Sequence, residues 1–447
     1  MNRTAIVWFR LDLRLSDNPA LDAASEKGCR VLPVFIWAPE EEGDWPPGEA
    51  SRWWLHQSLQ SLDSELRRRR SGLVLRRGPT LETLRSLIQE SGAEAVFWNW
   101  RVEPAVRSRD NRIQKTLESD GIQVETHNSS LFYHPEEIKN SSNQPYRIFT
   151  SFWNACNPVG PHSSGSSAPV QWEKNRPESL SLNALGLEPD IDWAKGFRDY
   201  WKPGEAGANE RLQRFFGSPV NEYIEDRDYP ALEGTSRLSP HLHFGEISPD
   251  RILKACMKRR NRASSAFLRQ LGWREFAHHL LYHFPQTVKE PLRPQFNRFP
   301  WRRNRDGLRS WQRGRTGFPI VDAGMRQLWA TGWMHNRVRM IVGSFLVKDL
   351  LLPWLQGAHW FWDTLVDADL ANNTLGWQWV TGCGADAAPY FRIFNPTRQA
   401  EKYDPGQKYV REWIPELGTS RYPASIVDHA TARELALEAY SRIKQNS

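Results

Sequence analysis

The sequence predicts an α/β domain built on a doubly wound parallel sheet, then an all-α domain, the two joined by a long connector. Three observations carry this. Residues 1–130 alternate short apolar runs, rich in β-branched and aromatic residues, with longer helical patterns, the sign of βαβ units. Residues 131–198 are dominated by loop-forming Pro, Gly, Ser and Asn. In residues 199–447 strand-like runs vanish and apolar residues recur at helical spacing.

In chain order, TAIVWF (4–9) and VLPVFIW (31–37) read as buried parallel strands, with further strands at 73–75, 95–98 and 124–127. Helices are expected at 19–26, 50–70, 81–91 and 102–120. No GxGxxG follows the first strand, so the dinucleotide fingerprint is missing. The run Arg67–Arg70 suits a solvated helix end near the negative pole of the dipole. NSSNQP, NPVGPHSSGSSAP and residues 177–189 read as loop within the connector, and nothing repeats at a fixed period.

The 447 residues carry a net charge of +7 and are 39% hydrophobic, enough for real cores. No apolar run approaches the roughly 20 residues that span a bilayer. MNRTAIVWFRLDLR lacks the features of a signal peptide, so a soluble, cytoplasmic protein is expected. Cys29, Cys156, Cys256 and Cys383 fall in no ligand spacing, which predicts neither a disulfide framework nor a metal site. The positive charge permits a polyanionic partner. The 22 Trp exceed what packing needs; Trp is redox-active and stacks on flat rings.

The most informative stretch is 332–379. Val338, Ile341, Val342, Phe345 and Leu346 mark a helix that buries one face, and Asn336, Arg339, Met340 and Gly343 form another stripe. A second helix is expected to begin near Asp363 and to carry Asp367, Asp369 and Asn373, with Asp369 and Asn373 four apart on one face. Two acids in apolar surroundings cost free energy unless paired. Arg339 is one partner to consider and a ligand with ring N–H groups is the other; the plainer alternative is that the acids cap a helix start. Six Trp (333, 354, 360, 362, 377 and 379) interleaved with polar groups describe a ligand pocket better than a plain core.

Three further constellations stand out. Thr235, Ser236 and Ser239, after Tyr223, precede a helical segment and suit a phosphate or an ordinary N-cap. Gln270, Trp273 and Arg274 share a helical face that would stack on and hydrogen-bond a base, or simply be half-exposed. Residues 297–317 hold seven Arg, two Trp and one Asp, a pattern of nucleic-acid contact or of a solvated charge run. If Arg227, Arg337, Arg392 and a few of these reach phosphates, the salt slope is roughly −4 to −5.

These motifs carry a resemblance. WFRLDLRLSDNPAL (8–21), EGTSRLSPHLHFGEISP, TGWMHNRVRMIVGSFLVKDLL and DADLANNTLGWQW are similar to signatures of the photolyase/cryptochrome family, over nearly the whole chain. The chain is most similar to bacterial cyclobutane pyrimidine dimer photolyases, and GEASRWWLHQSL resembles the subgroup called class III. The resemblance implies FAD held in a U-shape in the all-α domain, light-driven splitting of dimers in DNA, and a monomer. It implies that Tyr223 and the loop Thr235, Ser236, Arg237, Leu238 and Ser239 hold the phosphates. Phe267, Arg274 and Ala368 would line the cofactor, Asp367 would pair with Arg339, Asp369 would take the flavin ring N–H, and Asn373 would lie near flavin N5. Trp377, Trp354 and Trp301 match the electron-transfer chain. Trp273 and Trp379 match the aromatic pair around the flipped lesion, with Gln270, Asn336, Arg337, Met340, Arg227, Arg392 and Gln399 on the DNA side.

Photolyases of (6-4) photoproducts resemble this family but carry His where this chain has Asn336 and Met340, which favours the cyclobutane dimer. Gln270 departs from the usual Glu of the dimer enzymes and matches the (6-4) and cryptochrome pattern; it bears no charge and delivers no proton. A cryptochrome-like photoreceptor is therefore the alternative, with a (6-4) photolyase third. An antenna chromophore is also implied: methenyltetrahydrofolate first, a deazaflavin second. The Asn–Glu folate pair of some members falls on Ala105 and Val106, whereas Arg52 matches an antenna-groove arginine.

Overall fold

A computed structural model describes residues 3–156, 168–189, 191–387 and 391–445. Much of the NPVGPHSSGSSAP loop therefore lies outside the described residues.

Five strands form a parallel sheet in the order β3-β2-β1-β4-β5: β1 Thr4–Phe9, β2 Arg30–Trp37, β3 Val74–Arg77, β4 Ala95–Asn99 and β5 Gln123–His127. Side chains alternate between the faces, as a pleated strand requires. Val7, Phe9, Phe35 and Phe97 pack with helices α1 (Pro19–Glu26) and α2 (Glu49–Arg68). Ile6, Trp8, Val34 and Trp98 pack with α3 (Thr80–Ser91) and α4 (Pro104–Ser119). Both faces are covered, which is why the strand sequences are apolar throughout.

The connector contains more structure than its composition indicates. It forms a helix, α5 (Phe149–Cys156), and a two-residue strand, β6 (Gln171–Trp172), that pairs with Arg30 and Val31 of β2. The reason is geometric. β3 covers only Val34–Trp37 of the eight-residue β2, so the start of β2 presents an open edge that the returning chain fills.

The remainder is helical. Its centre comprises α6 (Arg262–His283), α7 (Arg305–Gln312), α8 (Pro319–Thr331), α9 (Asn336–Ser344), α10 (Trp354–Thr364) and α11 (Leu370–Thr381); α12 (His429–Gln445) closes the chain. Val338, Ile341, Val342, Phe345 and Leu346 are all buried in the main core of this domain. The helix expected from Asp363 does not form there. α10 ends at Thr364, residues 365–369 are a buried loop, and α11 starts at Leu370 with Asp369 as N-cap, its side chain accepting from the Asn372 N–H. An N-cap Asp sets a start that apolar periodicity cannot reveal.

The domains are joined by Glu246, fully buried. It accepts from Trp54 Nε1 (2.9 Å) and Ser58 Oγ (2.7 Å) of α2, from the Gly204 N–H (2.7 Å), and pairs with His241. The Leu13 N–H donating to Phe244 O (3.0 Å) and the Trp362 Nε1 donating to Pro46 O (2.7 Å) reinforce the joint.

Candidate functional site

His335 starts α9, its ring accepting from the Arg337 N–H (3.2 Å). Burial lowers its pKa to about 4, so the ring is neutral and able to accept. One turn on, Arg339 donates through Nη2 to both oxygens of Asp367 (3.0 and 2.9 Å) and through Nε to Met334 O (2.7 Å). This fork ties the 365–369 loop to α9.

Asp369 divides its two oxygens. Oδ1 accepts from the Asn372 N–H and side-chain amide, both at 2.8 Å, and so caps α11. Oδ2 lies 3.3 Å from His278 Nε2 and 3.6 Å from His243 Nδ1. Burial would raise its pKa, but the two histidines outweigh that and hold it well below the usual carboxylate range. The capping reading thus holds for one oxygen of Asp369, and the second oxygen stands beside two histidines. Beside it, Asn373 Nδ2 donates to Ala358 O (3.0 Å).

Asp369, His243, His278 and Arg274 line a small cavity between the domains, with Asp12 and Asn99 on the sheet side. A second, larger cavity opens at the carboxyl ends of β1 and β2 and shares Leu11, Arg101 and His243 with the first. Five polar atoms among its lining residues are buried without a hydrogen-bond partner: Trp8 Nε1, Trp45 Nε1, Arg10 Nε, Ser51 Oγ and His243 Nδ1. Such groups are costly unless something accepts from them. Ala368 also lines it. Arg52 does not; its guanidinium pairs with Glu49, and the adjacent Ser51 takes the inward position.

The indole of Trp377 lies flat on α10, where a Cβ at Gly357 would come within 2.0 Å of the ring. Its Nε1 is buried without a partner, and Phe361 (5.0 Å) and Trp311 (6.3 Å) surround it. Trp354, buried, stands one turn before Gly357 on α10. Trp301 is half-buried against Phe299 (4.4 Å), and the next residue, Arg302, donates its N–H to Leu351 O (2.8 Å), close in sequence to Trp354.

Along α6, Trp273 stacks on Phe149 of α5 (3.7 Å between centroids, 10° between planes), whereas Arg274 turns to Ser130 O and the interdomain cavity. Successive residues on a helix diverge by about 100°, so the face expected to hold both is split. Gln270 is half-buried. Trp379 is half-buried beneath the Arg392 guanidinium (5.2 Å). Asn336 is exposed, 4.0 Å from Met340 Sδ; Arg337 pairs with Asp228 (2.9 Å) and lies over Tyr403 (4.5 Å). Gln399 Oε1 is buried without a partner.

Around the 235–239 loop, Tyr223 is buried, which pushes its hydroxyl up to about 12, and Phe267 packs on it (5.4 Å). Arg227 lies over the same ring (5.8 Å). Arg237, at φ 52°, pairs with Glu233 and lies over Trp333 (5.2 Å), and the Leu238 N–H donates to Ser236 Oγ (3.3 Å). The helix after this loop, Ser239–His243, has only five residues. So short a helix offers little dipole, and a phosphate placed here would rely on the hydroxyls and backbone N–H groups instead.

His243, His278, Glu246, Gly357 and Trp311 were not singled out by sequence. His243 and Glu246 lie in the SPHLHFGE motif, where two His and a Glu within six residues were the available signal. Among the described residues no group of three His, Cys, Asp or Glu is placed to hold a metal, and no helix is long and apolar enough to cross a membrane.

Two family models match the chain: "DNA photolyase" over residues 5–169 and "FAD binding domain of DNA photolyase" over residues 267–421. A deoxyribodipyrimidine photo-lyase of Agrobacterium fabrum is 45% identical over 99% of this chain and 98% of its own length. Cryptochrome-1 of Arabidopsis thaliana is 39% identical over 97% of this chain and 66% of its own. Among solved structures, a bacterial class III photolyase from Agrobacterium tumefaciens matches with a TM-score of 0.95 at 44% identity, covering 100% of this chain and 98% of that one. An archaeal photolyase from Sulfolobus tokodaii, described with two FAD molecules and a novel light-harvesting cofactor, matches with a TM-score of 0.84 at 31% identity, covering 98% and 100%.

Proposed function

The chain belongs to the photolyase/cryptochrome family, and from that premise we propose that it is a light-driven DNA repair enzyme splitting cyclobutane pyrimidine dimers. The observation that carries this reading is Asp369: buried, held ionised, with one oxygen used on a helix cap and the other beside two histidines at the wall of a cavity. A carboxylate so placed is an acceptor for a ring N–H, and the chemistry of the surrounding donors and acceptors fits FAD. When bound, reduced FAD supplies under light the electron that opens the cyclobutane ring and takes it back.

The chain's own residues bind, orient and exclude water. Arg339 and Asp367 fix the loop that presents Asp369, and Asn373 offers its amide from the next turn. Tyr223 and the hydroxyls and N–H groups of Thr235, Ser236, Arg237, Leu238 and Ser239 hold the phosphates. Trp377, Trp354 and Trp301 conduct an electron inward. On the lesion side, Trp273 and Trp379 stack on the extruded bases, with Gln270, Asn336 and Met340 at their edges. Flipping costs a few kcal/mol and stacking returns roughly 1–3 kcal/mol per base. Phe149 holds the Trp273 ring in place beforehand, which lowers the ordering cost of binding. Arg227, Arg337, Arg392 and Gln399 meet the backbone.

The pocket at the carboxyl ends of β1 and β2 is a site for the antenna, since its orphan polar groups need partners and aromatic side chains line it. Methenyltetrahydrofolate is the first choice and a deazaflavin the second. The protein acts as a monomer in the cytoplasm. Gln270 favours one other reading, a blue-light photoreceptor. Oligonucleotides carrying either a cyclobutane dimer or a (6-4) photoproduct separate the readings. Dark affinity for the dimer alone, lost in Trp273→Ala with flavin retained, is expected. Equal affinity for both lesions, or none for either, contradicts the assignment.

A further inference from the structure

Two arginine runs in this chain behave differently. In the run at the end of α2, Arg67 pairs with Asp63 (2.6 Å), and Arg68 and Arg69 pair with Glu65 (3.1 and 3.2 Å). In the second run, Arg302, Arg303, Arg305, Arg309, Arg313 and Arg315 are all exposed, and among the described residues none has an acid partner. Arg305, Arg309 and Arg313 are spaced by four, one stripe on and just past α7. The one acid of the stretch, Asp306, takes no arginine. Charge left uncompensated in this way serves a partner outside the chain better than it serves the fold.

The stripe begins at Trp301. Arg298, Arg302, Arg303 and Arg305 lie within four residues of it, hence within roughly 14 Å by chain reach, little more than the ~10 Å screening length at 0.1 M salt. Trp301 is itself half-buried rather than enclosed in the core. We propose that this arginine stripe is a docking surface for a small anionic one-electron reductant that refills Trp301. The inference rests on the reading of Trp301 as the outer end of the tryptophan route. Once an electron has been drawn inward, Trp301 is a cation radical. The anion gives up one electron, the indole becomes neutral again, no proton moves, and no bond is made or broken. The arginines concentrate the anion at this point and, by repelling the positive hole, favour its refilling.

The test uses the full chain loaded with oxidised FAD. A light flash produces the tryptophanyl radical, and its decay is followed against ferrocyanide, an anionic donor, and hydroquinone, a neutral one. The charge-reversed protein carries Arg302→Glu, Arg303→Glu and Arg305→Glu; these exposed positions leave the fold intact, which its flavin content and melting curve verify. The ferrocyanide rate constant is expected to fall roughly ten-fold or more at low salt, and to fall with added salt in the natural chain. The hydroquinone rate stays within two-fold. Equal slowing of both donors, or a ferrocyanide rate indifferent to salt and to charge reversal, overturns the proposal. So does a variant that loses affinity for undamaged duplex DNA alone, which makes the stripe a nucleic-acid surface. Trp301→Phe separates the premise from the inference: it is expected to lose the long-lived radical, and a radical of unchanged yield and lifetime overturns the Trp301 reading itself.

Discussion

Glu246 and Asp369 are both buried carboxylates in the helical domain, yet the chain treats them differently. Glu246 receives Trp54, Ser58, Gly204 and His241, so the fold supplies all its donors. Asp369 receives two short hydrogen bonds on Oδ1, whereas Oδ2 has only the longer contacts to His278 (3.3 Å) and His243 (3.6 Å), and the residue lines a cavity. On the proposed reading, the protein completes the polar groups that hold its domains together and leaves less fully satisfied those that a ligand would meet. The orphan donors of the larger cavity belong to the second class.

This contrast can be broken by substitution. Glu246→Ala strips four donors of their acceptor and is expected to cost about 3–5 kcal/mol in denaturant unfolding; a cost below about 1 kcal/mol would erase the distinction. Glu275 sharpens the comparison as a buried acid that burial makes hard to ionise, its pKa raised to about 7 although it accepts from the Phe132 N–H. Because the folded value lies above the unfolded one, its stabilising effect is full at low pH and lost as pH rises through 7. Glu275→Gln keeps the acceptor and is expected to remove that loss, roughly 3 kcal/mol, seen as a flatter melting-temperature profile between pH 5 and 8. An unchanged profile places the titration elsewhere.

Asp369→Asn retains a good N-cap, so unfolding should shift by no more than about 1 kcal/mol, while bound FAD per chain drops sharply. Stability lost in parallel with flavin would make Asp369 a structural group like Glu246. The smallest effect is expected at Ser51→Ala, within about 0.5 kcal/mol, with FAD unchanged and absorbance of the second chromophore reduced. Full retention of that absorbance would remove the serine from the antenna site.

The sheet was legible because a period of 2 and a period of 3.6 are hard to confuse in runs such as TAIVWF and in α2. β6 was not, since two residues become a strand only because β3 leaves part of β2 uncovered. The start of α11 was misplaced because LVDADLANN is apolar on both sides of the cap, with no Gly or Pro between helix and loop. Asp367, Asp369 and Arg339 were legible as unusual acids and a partner. His243 and His278 were not, because they meet Asp369 only after separate segments converge. The partners of Glu246 lie as far as 192 residues away in the chain, beyond any local pattern.

The central claim is that the helical domain uses light to return a dimer to two pyrimidines. It is tested most directly by illuminating the fully reduced, oxygen-free protein with an oligonucleotide carrying one cyclobutane thymine dimer. Blue light is expected to restore the undamaged strand, with none restored in the dark. No restored strand, from protein whose spectrum confirms bound reduced flavin, would contradict the account.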